Sequence, residues 1–584
     1  MPVENHNTTE QTDSAPSPAT IRSWRFGDLP AAELIPQLQK HLLAQNSEAL
    51  WQLVWLDNDG QPVIGLLPKT SWVVTPNFET LSDPLSVTYQ VTKHCRDVCI
   101  NINDNAADSA AIKTTQMSYA KWQDELIAYS QTYESLSTDI KQSGTVNQKP
   151  NYHHGLIGFI GYDIAAHALS PVAAIQLAAQ PSAVLGHYDI YLMPAAQDVT
   201  SAWTLTVNQT DDTSDISDER QHKNMLVTAL TSYLDAFDKT LSDSNHYMDQ
   251  ATPKIALQPA PLVLKAQWVK PDYQMAFDQT QDYLQQGDCY QINLTQAWQG
   301  SLTYQDNSRQ SLSSLINYLP NLHHNTQAPF AGYLTVQYGD ITHADKDINS
   351  PLPNSINQKN TFELLSCSPE LFFTFIKDRK TGKHHIRTKP IKGTTPRGIT
   401  PEQDDAYKQQ LINSEKDRAE NVMIVDLLRN DLGKYAKIGS VKVPQLFAIE
   451  SFSNVHHMVS TITAELKADT HPLAVLFGSL PAGSITGTPK KRSVEIISEL
   501  ENAPRGAYCG TMGYMNFDGS GQWNVLIRTI QANHSFANDT EQQGHVSLWA
   551  GGGITVASDC EAEYQECLDK VGNLLSILAQ KNSH

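Results

Sequence analysis

Lys392 sits in the run Thr388-Lys389-Pro390-Ile391-Lys392-Gly393-Thr394-Thr395-Pro396-Arg397-Gly398. An extended stretch hands it to a loop rich in glycine and threonine, where backbone can come close to a ligand. A lysine so placed either meets a ligand or is an ordinary solvated side chain, and its neighbourhood alone does not decide. Carboxylates supply a second theme. A helix starting at Ser414, with Asp417 in a capping-box-like position, carries Glu420 at the edge of its apolar stripe. The last helix, from about Glu561, carries Glu563 and Glu566 on one face, with Leu568, Val571, Leu575 and Leu578 facing the core. Acids on single faces of two separate helices suit a hard divalent cation such as magnesium. Acids in a first turn are equally what the helix dipole favours.

Three further features point to anions. Gly551-Gly552-Gly553 leaves bare backbone N–H groups just before the acidic helix. The loop Pro481 to Pro489, containing Ser484, runs into Lys490, Lys491 and Arg492. Arg528 lies within an apolar strand, Val525 to Ile530, where a charge is costly unless it is paired. A flexible loop reads the same as a cradle, so each feature is ambiguous alone.

The elements that must position these residues differ between the two halves. Residues 1–20 read as a disordered tail, 21–260 as an N-terminal domain with polar insertions, and 261–584 as a second domain denser in pattern. Asn208 to Asn224 reads as a loop, and Asp243 to Pro253 as another polar stretch. Short strands are expected at Trp51–Leu56 and Val63–Leu67 around an Asp57-Asn58-Asp59-Gly60 turn. Glycines inside the apolar run Gly155 to Tyr162 imply a bulge or a close backbone contact. The second half predicts strands at Leu364–Ser368, Leu371–Ile376, Ser440–Val443, His457–Thr463, Gly510–Met515, Asn524–Ile530 and Val546–Ala550. Helices are expected from about Glu402, from Ser414 to about Leu428, and from Lys490 to Leu500 with Thr488 as N-cap. Strands in runs with interspersed helices imply an α+β fold with large, mostly antiparallel sheets.

Composition sets the boundaries. With 584 residues, 40% hydrophobic and 18% charged, the chain can build sizeable cores and is not wholly disordered. Lys and Arg number 42 against 62 Asp and Glu, a net charge of −20. Such a body repels nucleic acid and anionic lipid, and an anionic substrate would need a local positive field. No secretory signal and no run of apolar residues long enough for a membrane span is present, so a cytoplasmic location is expected. The seven scattered cysteines, with His94-Cys95 and Cys99 as a weak metal signal at most, read as reduced thiols.

The order of the motifs is more specific than any one of them. The order runs Ser368-Pro369-Glu370, Pro390 to Thr394, Asp417 to Asn421 with Met423 to Gly433, and Val455 to Ser460. It continues with Pro481 to Gly487, Arg505 to Gly510, and Gly551 to Thr555 with Glu563 and Glu566. This order resembles the chorismate-utilising enzymes over residues 265–580. The family includes anthranilate synthase component I, aminodeoxychorismate synthase component I, isochorismate synthase and salicylate synthase. The N-terminal half matches more thinly, through Gly158 to Asp163.

The resemblance implies an anthranilate synthase component I-like sandwich and a site. Lys392, where anthranilate synthases carry alanine, and the Tyr290 to Gln296 segment match the branch that aminates chorismate at C4. Lys392 would attack C2 of chorismate, and Glu370 would protonate the departing C4 hydroxyl. Glu420 and Glu566 match magnesium ligands, and Glu563 a further acid near the metal. Gly393, Thr394, Tyr508, Arg528 and Gly553 match substrate contacts, Lys490 a nearby cation, and His457 and Ser484 active-site groups. Which of His456 and His457 faces the site stays open. Arg387, Lys389 and Arg397 are expected to form a cationic field favouring a neutral Lys392 amine. A glutamine amidotransferase subunit is implied as ammonia donor, because Cys509 lacks a nucleophile elbow and His471-Pro472 is followed by leucine. Tryptophan is a possible ligand of the N-terminal domain, although Leu53 to Asp57 and Gln327 to Phe330 depart from the family elements that would line its pocket. The loop between Glu370 and Lys392, at Lys377 to His385, is longer than usual. The rival readings are anthranilate synthase component I, isochorismate or salicylate synthase, and an inactive regulatory subunit.

Overall fold

The computed structural model describes residues 19–45, 53–80, 87–96, 112–134, 149–195, 202–208, 217–246, 259–302, 314–339, 360–378, 380–452, 455–538 and 541–580. Two twelve-stranded sheets, antiparallel throughout, form the frame. Each draws strands from both halves of the chain. In the first, Val54–Leu56 from the N-terminal half pairs with Phe330–Tyr338. In the second, Gly155–Ile160 pairs with Thr511–Asn516. The expected division near residue 260 is therefore not a division between sheets.

The α+β sandwich is the one anticipated. Strand alternation sends one set of side chains between the sheets and the other set outward under helices. Val54, Leu56, Ile157, Phe159, Met512 and Tyr514 fill the interior. Leu156 and Ile160, from the same strand as Ile157 and Phe159, belong to an outer core with helices Tyr119–Glu134, Glu415–Gly433 and Pro472–Ser479. The other outer core lies under helices Ala31–Gln45, Ser217–His246 and Cys560–Ala579. The glycine reading holds at Gly158, where a Cβ would stand 1.9 Å from the Val184 carbonyl oxygen.

Several local expectations change. The polar stretch after Asn208 enters the thirty-residue helix Ser217–His246, whose apolar Leu230, Leu234 and Phe237 recur at helical spacing and are buried. Residues 1–18, 209–216 and 247–258 lie outside the described residues, as does Cys99. The expected strand Asn524–Ile530 is broken: Gly521–Asn524 and Thr529–Asn538 lie in different sheets, and residues 525–528 cross between them. Ser414 does cap its helix, accepting the Asp417 N–H at 3.2 Å, and the helix runs on to Gly433. The N-cap position of Lys490–Glu501 is held by Pro489 rather than Thr488.

Candidate active site

One cavity of about 510 Å³ collects most of the singled-out residues. The Ser368-Pro369-Glu370 corner forms its first wall. Ser368 Oγ donates to the Val525 carbonyl at 2.6 Å and accepts the Glu370 N–H at 3.2 Å, while the Val525 N–H donates to the Glu370 carbonyl. The corner is thus tied to the crossing segment that ends at Arg528. Burial pushes the Glu370 carboxyl above its ordinary value, against the nearby Lys392 charge and the Ser484 hydroxyl.

Lys392 lies in a strand, Ile391–Pro396, and not in the loop its glycine and threonine neighbours suggest. The strand pairs with Val455–Glu465 through Ile391 opposite Val459 and Thr394 opposite His457, so one extra residue bulges between. Gly393 occupies the bulge at φ 82°, in the left-handed region that glycine tolerates. A Cβ there would stand 2.7 Å from Leu411 Cδ1 and 2.8 Å from Asp417 Cγ. The bulge can therefore press against the start of helix Glu415–Gly433, and Lys392 Nζ comes within 3.9 Å of Glu420 Oε2.

Strand alternation settles the histidines. His457 lines the cavity and its Nδ1 meets Thr394 Oγ1 at 2.8 Å. Burial, with Arg528 and His456 nearby, lowers its pKa to about 4, so it is neutral at pH 7. His456 points away, bonding Asp404 Oδ1 and Ser451 Oγ at 2.8 Å each. Arg528 has φ 51°, and among the described residues no carboxylate forms an ion pair with it. It is a half-buried cation facing the cavity, as an anion-gripping residue must be. Ser484 comes from the short turn Gly483–Ile485. Tyr508 stacks on Trp549 with ring centroids 6.1 Å apart. Gly553 lines the wall, where a Cβ would strike Gln291 Nε2.

The acids face lysines. Glu563, 2% exposed, accepts from Lys416 Nζ at 3.1 Å and Ser558 Oγ at 2.8 Å. Glu566 pairs with Lys570 at 2.7 Å. Burial raises the Glu420 pKa against the pull of Lys392 and Lys416. For Glu566, burial is outweighed by Lys570 and Lys416, and the pKa falls. Among the described residues no three acid, histidine or cysteine side chains stand close enough to hold a metal as they lie. The donor chemistry nevertheless fits magnesium: three carboxylates border one cavity, each with a displaceable lysine.

Other expectations change. Lys490 does not border the cavity; it pairs with Asp431 at 2.5 Å and donates to the Ser479 carbonyl. The cations expected around Lys392 face elsewhere. Arg397 pairs with Asp404, Lys389 with Glu450, and Arg387 lines a second cavity. The Leu53–Leu56 side chains are buried in the cores. Sequence reading passed over Lys416, Lys570 and Trp549, which all line the site. The two lysines were legible: Lys416 is four residues before Glu420 and Lys570 four after Glu566, each on its acid's helical face.

A two-sheet frame enclosing this cavity is matched by an established class of enzymes. The profile of the chorismate binding enzyme family matches residues 97–576, and the chain belongs to that family. Aminodeoxychorismate synthase component 1 of Salmonella typhimurium is 37% identical over 432 residues, covering 73% of this chain and 77% of that protein. Its Escherichia coli counterpart is 35% identical over 440 residues, covering 74% and 79%. The crystal structure of anthranilate synthase component I from Streptococcus pneumoniae shares the fold at TM-score 0.55 and 20% identity, over 88% of this chain and 91% of that one.

Proposed function

We propose that the protein converts chorismate and ammonia to 4-amino-4-deoxychorismate and water, keeping the enolpyruvyl group. The observation that carries this reading is that Lys392 and Glu370 face one cavity whose wall also holds the unpaired Arg528. The printed names of the Salmonella typhimurium and Escherichia coli relatives support it.

Arg528 grips a substrate carboxylate. The Lys392 amine forms a bond to ring C2 while the ring double bonds shift and the C4 hydroxyl leaves with the proton held by Glu370. Burial favours the protonated form of Glu370, the form a proton donor needs. Ammonia then bonds to C4, the double bonds shift back, and the C2–N bond breaks to return Lys392 as a free amine. The neutral His457 holds the Thr394 hydroxyl against the substrate edge. Glu420 and Glu566, with Glu563 beside them, would hold magnesium, which when bound offsets the negative charge of the substrate ring carboxylate.

The name component 1 implies a partner component. We take the partner to be a glutamine amidotransferase that supplies ammonia. Among the described residues no helix is long and apolar enough to cross a membrane, and six cysteines are free. We propose a cytoplasmic location. Tryptophan is kept as a proposed ligand of the N-terminal half, tested by equilibrium dialysis with the labelled amino acid. The test of the function is Lys392→Met: it should leave the melting temperature unchanged and remove ammonia-dependent consumption of chorismate. Retained consumption would overturn the role given to Lys392.

A further inference from the structure

The motifs Asp417 to Asn421 and Val455 to Ser460 end on two residues that the proposed chemistry leaves unused, Asn421 and Ser460. Neither borders the active-site cavity. They meet each other instead. Ser460 Oγ donates to Asn421 Oδ1 at 2.5 Å, and the two residues are 0% and 1% exposed. Ser460 is also tied to two further segments. Its Oγ accepts the Phe447 N–H at 3.2 Å, and its own N–H donates to the Pro390 carbonyl at 3.3 Å. Four segments therefore converge on one serine. They are the helix Glu415–Gly433, the strand Val455–Glu465, the neighbouring strand Lys442–Ser451, and the turn that hands the chain to Lys392.

Two features of this junction work against stability. Phe447 lies in a register shift between Gln445 and Ala448, at φ 59°, a left-handed conformation that bulky residues avoid. Its ring carries the Arg418 guanidinium 4.8 Å from the centroid, so the helix holds this bulge as well as Ser460. Asn421 Nδ2 is buried with no partner among the described residues. A strained backbone and an unsatisfied amide each cost stability, and such costs concentrate where placement matters for function. Placement matters here. Asn421 directly follows Glu420, and adjacent side chains on a helix point about 100° apart, so anchoring one to the sheet fixes the direction of the other. Pro390 stands two residues before Lys392, so the same serine fixes the start of the strand that bears the lysine. Lys392 Nζ and Glu420 Oε2 end 3.9 Å apart.

We propose that Asn421 and Ser460 are positioning residues that hold Glu420 and Lys392 in place against each other across the cavity. Their contact sets where the acid assigned to magnesium stands relative to the attacking amine, from behind the cavity wall. A misplacement of about 1 Å can cost about 10²-fold in rate. The inference rests on the proposed function and adds to it the contact that aligns its parts.

The test uses the full chain with Asn421→Ala, Ser460→Ala and the double variant. Calorimetric titration with magnesium chloride, at saturating chorismate and without ammonia, should give binding at least about tenfold weaker in each single variant. Turnover with ammonia should fall at least about tenfold, while the Michaelis constant for chorismate stays within about twofold, because Arg528 lies on another segment. The double variant should match the worse single variant. Should Asn421→Ala fail to fold, Ser460→Ala reads the same contact. A lower melting temperature with magnesium affinity and turnover unchanged would overturn the proposal and leave a packing contact only. Multiplying losses in the double variant would also overturn it. Wild-type protein that neither binds magnesium nor consumes chorismate would overturn the proposed function and this inference together; wild-type protein that does both, with variants that match it, overturns this inference alone.

Discussion

Arg505 is the most heavily used buried charge behind the site, and replacing it by methionine gives a prediction whose size follows from its contacts. Arg505 and Glu501 are each 1% exposed in their side chains. Arg505 Nη2 meets Glu501 Oε1 at 2.6 Å and Nε meets Oε2 at 2.8 Å. Its other donors go to the carbonyls of Asn293, at 2.8 Å, and Ile485, at 3.2 Å, and to Cys509 Sγ at 3.5 Å. Both residues border the active-site cavity. Arg505→Met leaves a buried carboxylate without its cation, a loss of about 3–5 kcal/mol. At about 2.1 cal/mol/K per residue, cooperative unfolding of a chain this long has an entropy near 1.2 kcal/mol/K, so the melting temperature should fall by about 3 °C. Glu501→Leu should cost a similar amount, because it strands the guanidinium. The double variant should cost about as much as one single change, giving a coupling of about 3–5 kcal/mol. Differential scanning fluorimetry measures all four corners of the cycle. The Michaelis constant for chorismate should rise in both single variants, since Asn293 and Ile485 lose their anchor. Additive melting shifts would refute the buried pair as the organising contact behind the cavity.

Glu370→Gln should lower turnover by about 10²–10⁴-fold with little change in chorismate affinity, because it removes the proton donor and keeps the shape. Gly393→Ala should sharply reduce activity, as a Cβ meets Leu411 and Asp417 at under 3 Å in a left-handed backbone; rates measured alongside the melting curve check this. Glu420→Gln and Glu566→Gln should each weaken magnesium binding in calorimetry, while Lys490→Met should leave it unaltered. Burial holds His154 at about 3 and His457 and His471 at about 4, whereas in the unfolded chain they take up protons near 6.5. Between pH 6.5 and 5 the unfolded state therefore binds more protons, and each should withdraw about 2 kcal/mol of stability, seen as a falling melting temperature. A melting temperature flat from pH 7 to pH 5 would contradict that burial.

Much of the site was legible because its motifs are local. Ser368-Pro369-Glu370 and the acids of the two helices have chemistry and spacing that survive in one dimension, and the structure brings them to one cavity. What failed depends on register or distance. Lys392 reads as a loop residue because glycine and threonine mimic a turn, and only pairing with Val455–Glu465 shows a bulged strand. Arg387, Lys389 and Arg397 are near Lys392 in sequence, yet strand alternation and partner acids turn them elsewhere. Lys490 follows a loop that does reach the site, but Asp431 from another helix claims it. The helix Ser217–His246 was hidden by its polar start, which masks the buried leucines further along.

The central claim is the chemistry at C4. Purified protein should be incubated with chorismate, magnesium and an ammonium salt, and the product identified by mass spectrometry. The expected product is 4-amino-4-deoxychorismate with the enolpyruvyl group intact and no pyruvate released. Anthranilate appearing with an equal amount of pyruvate would contradict it.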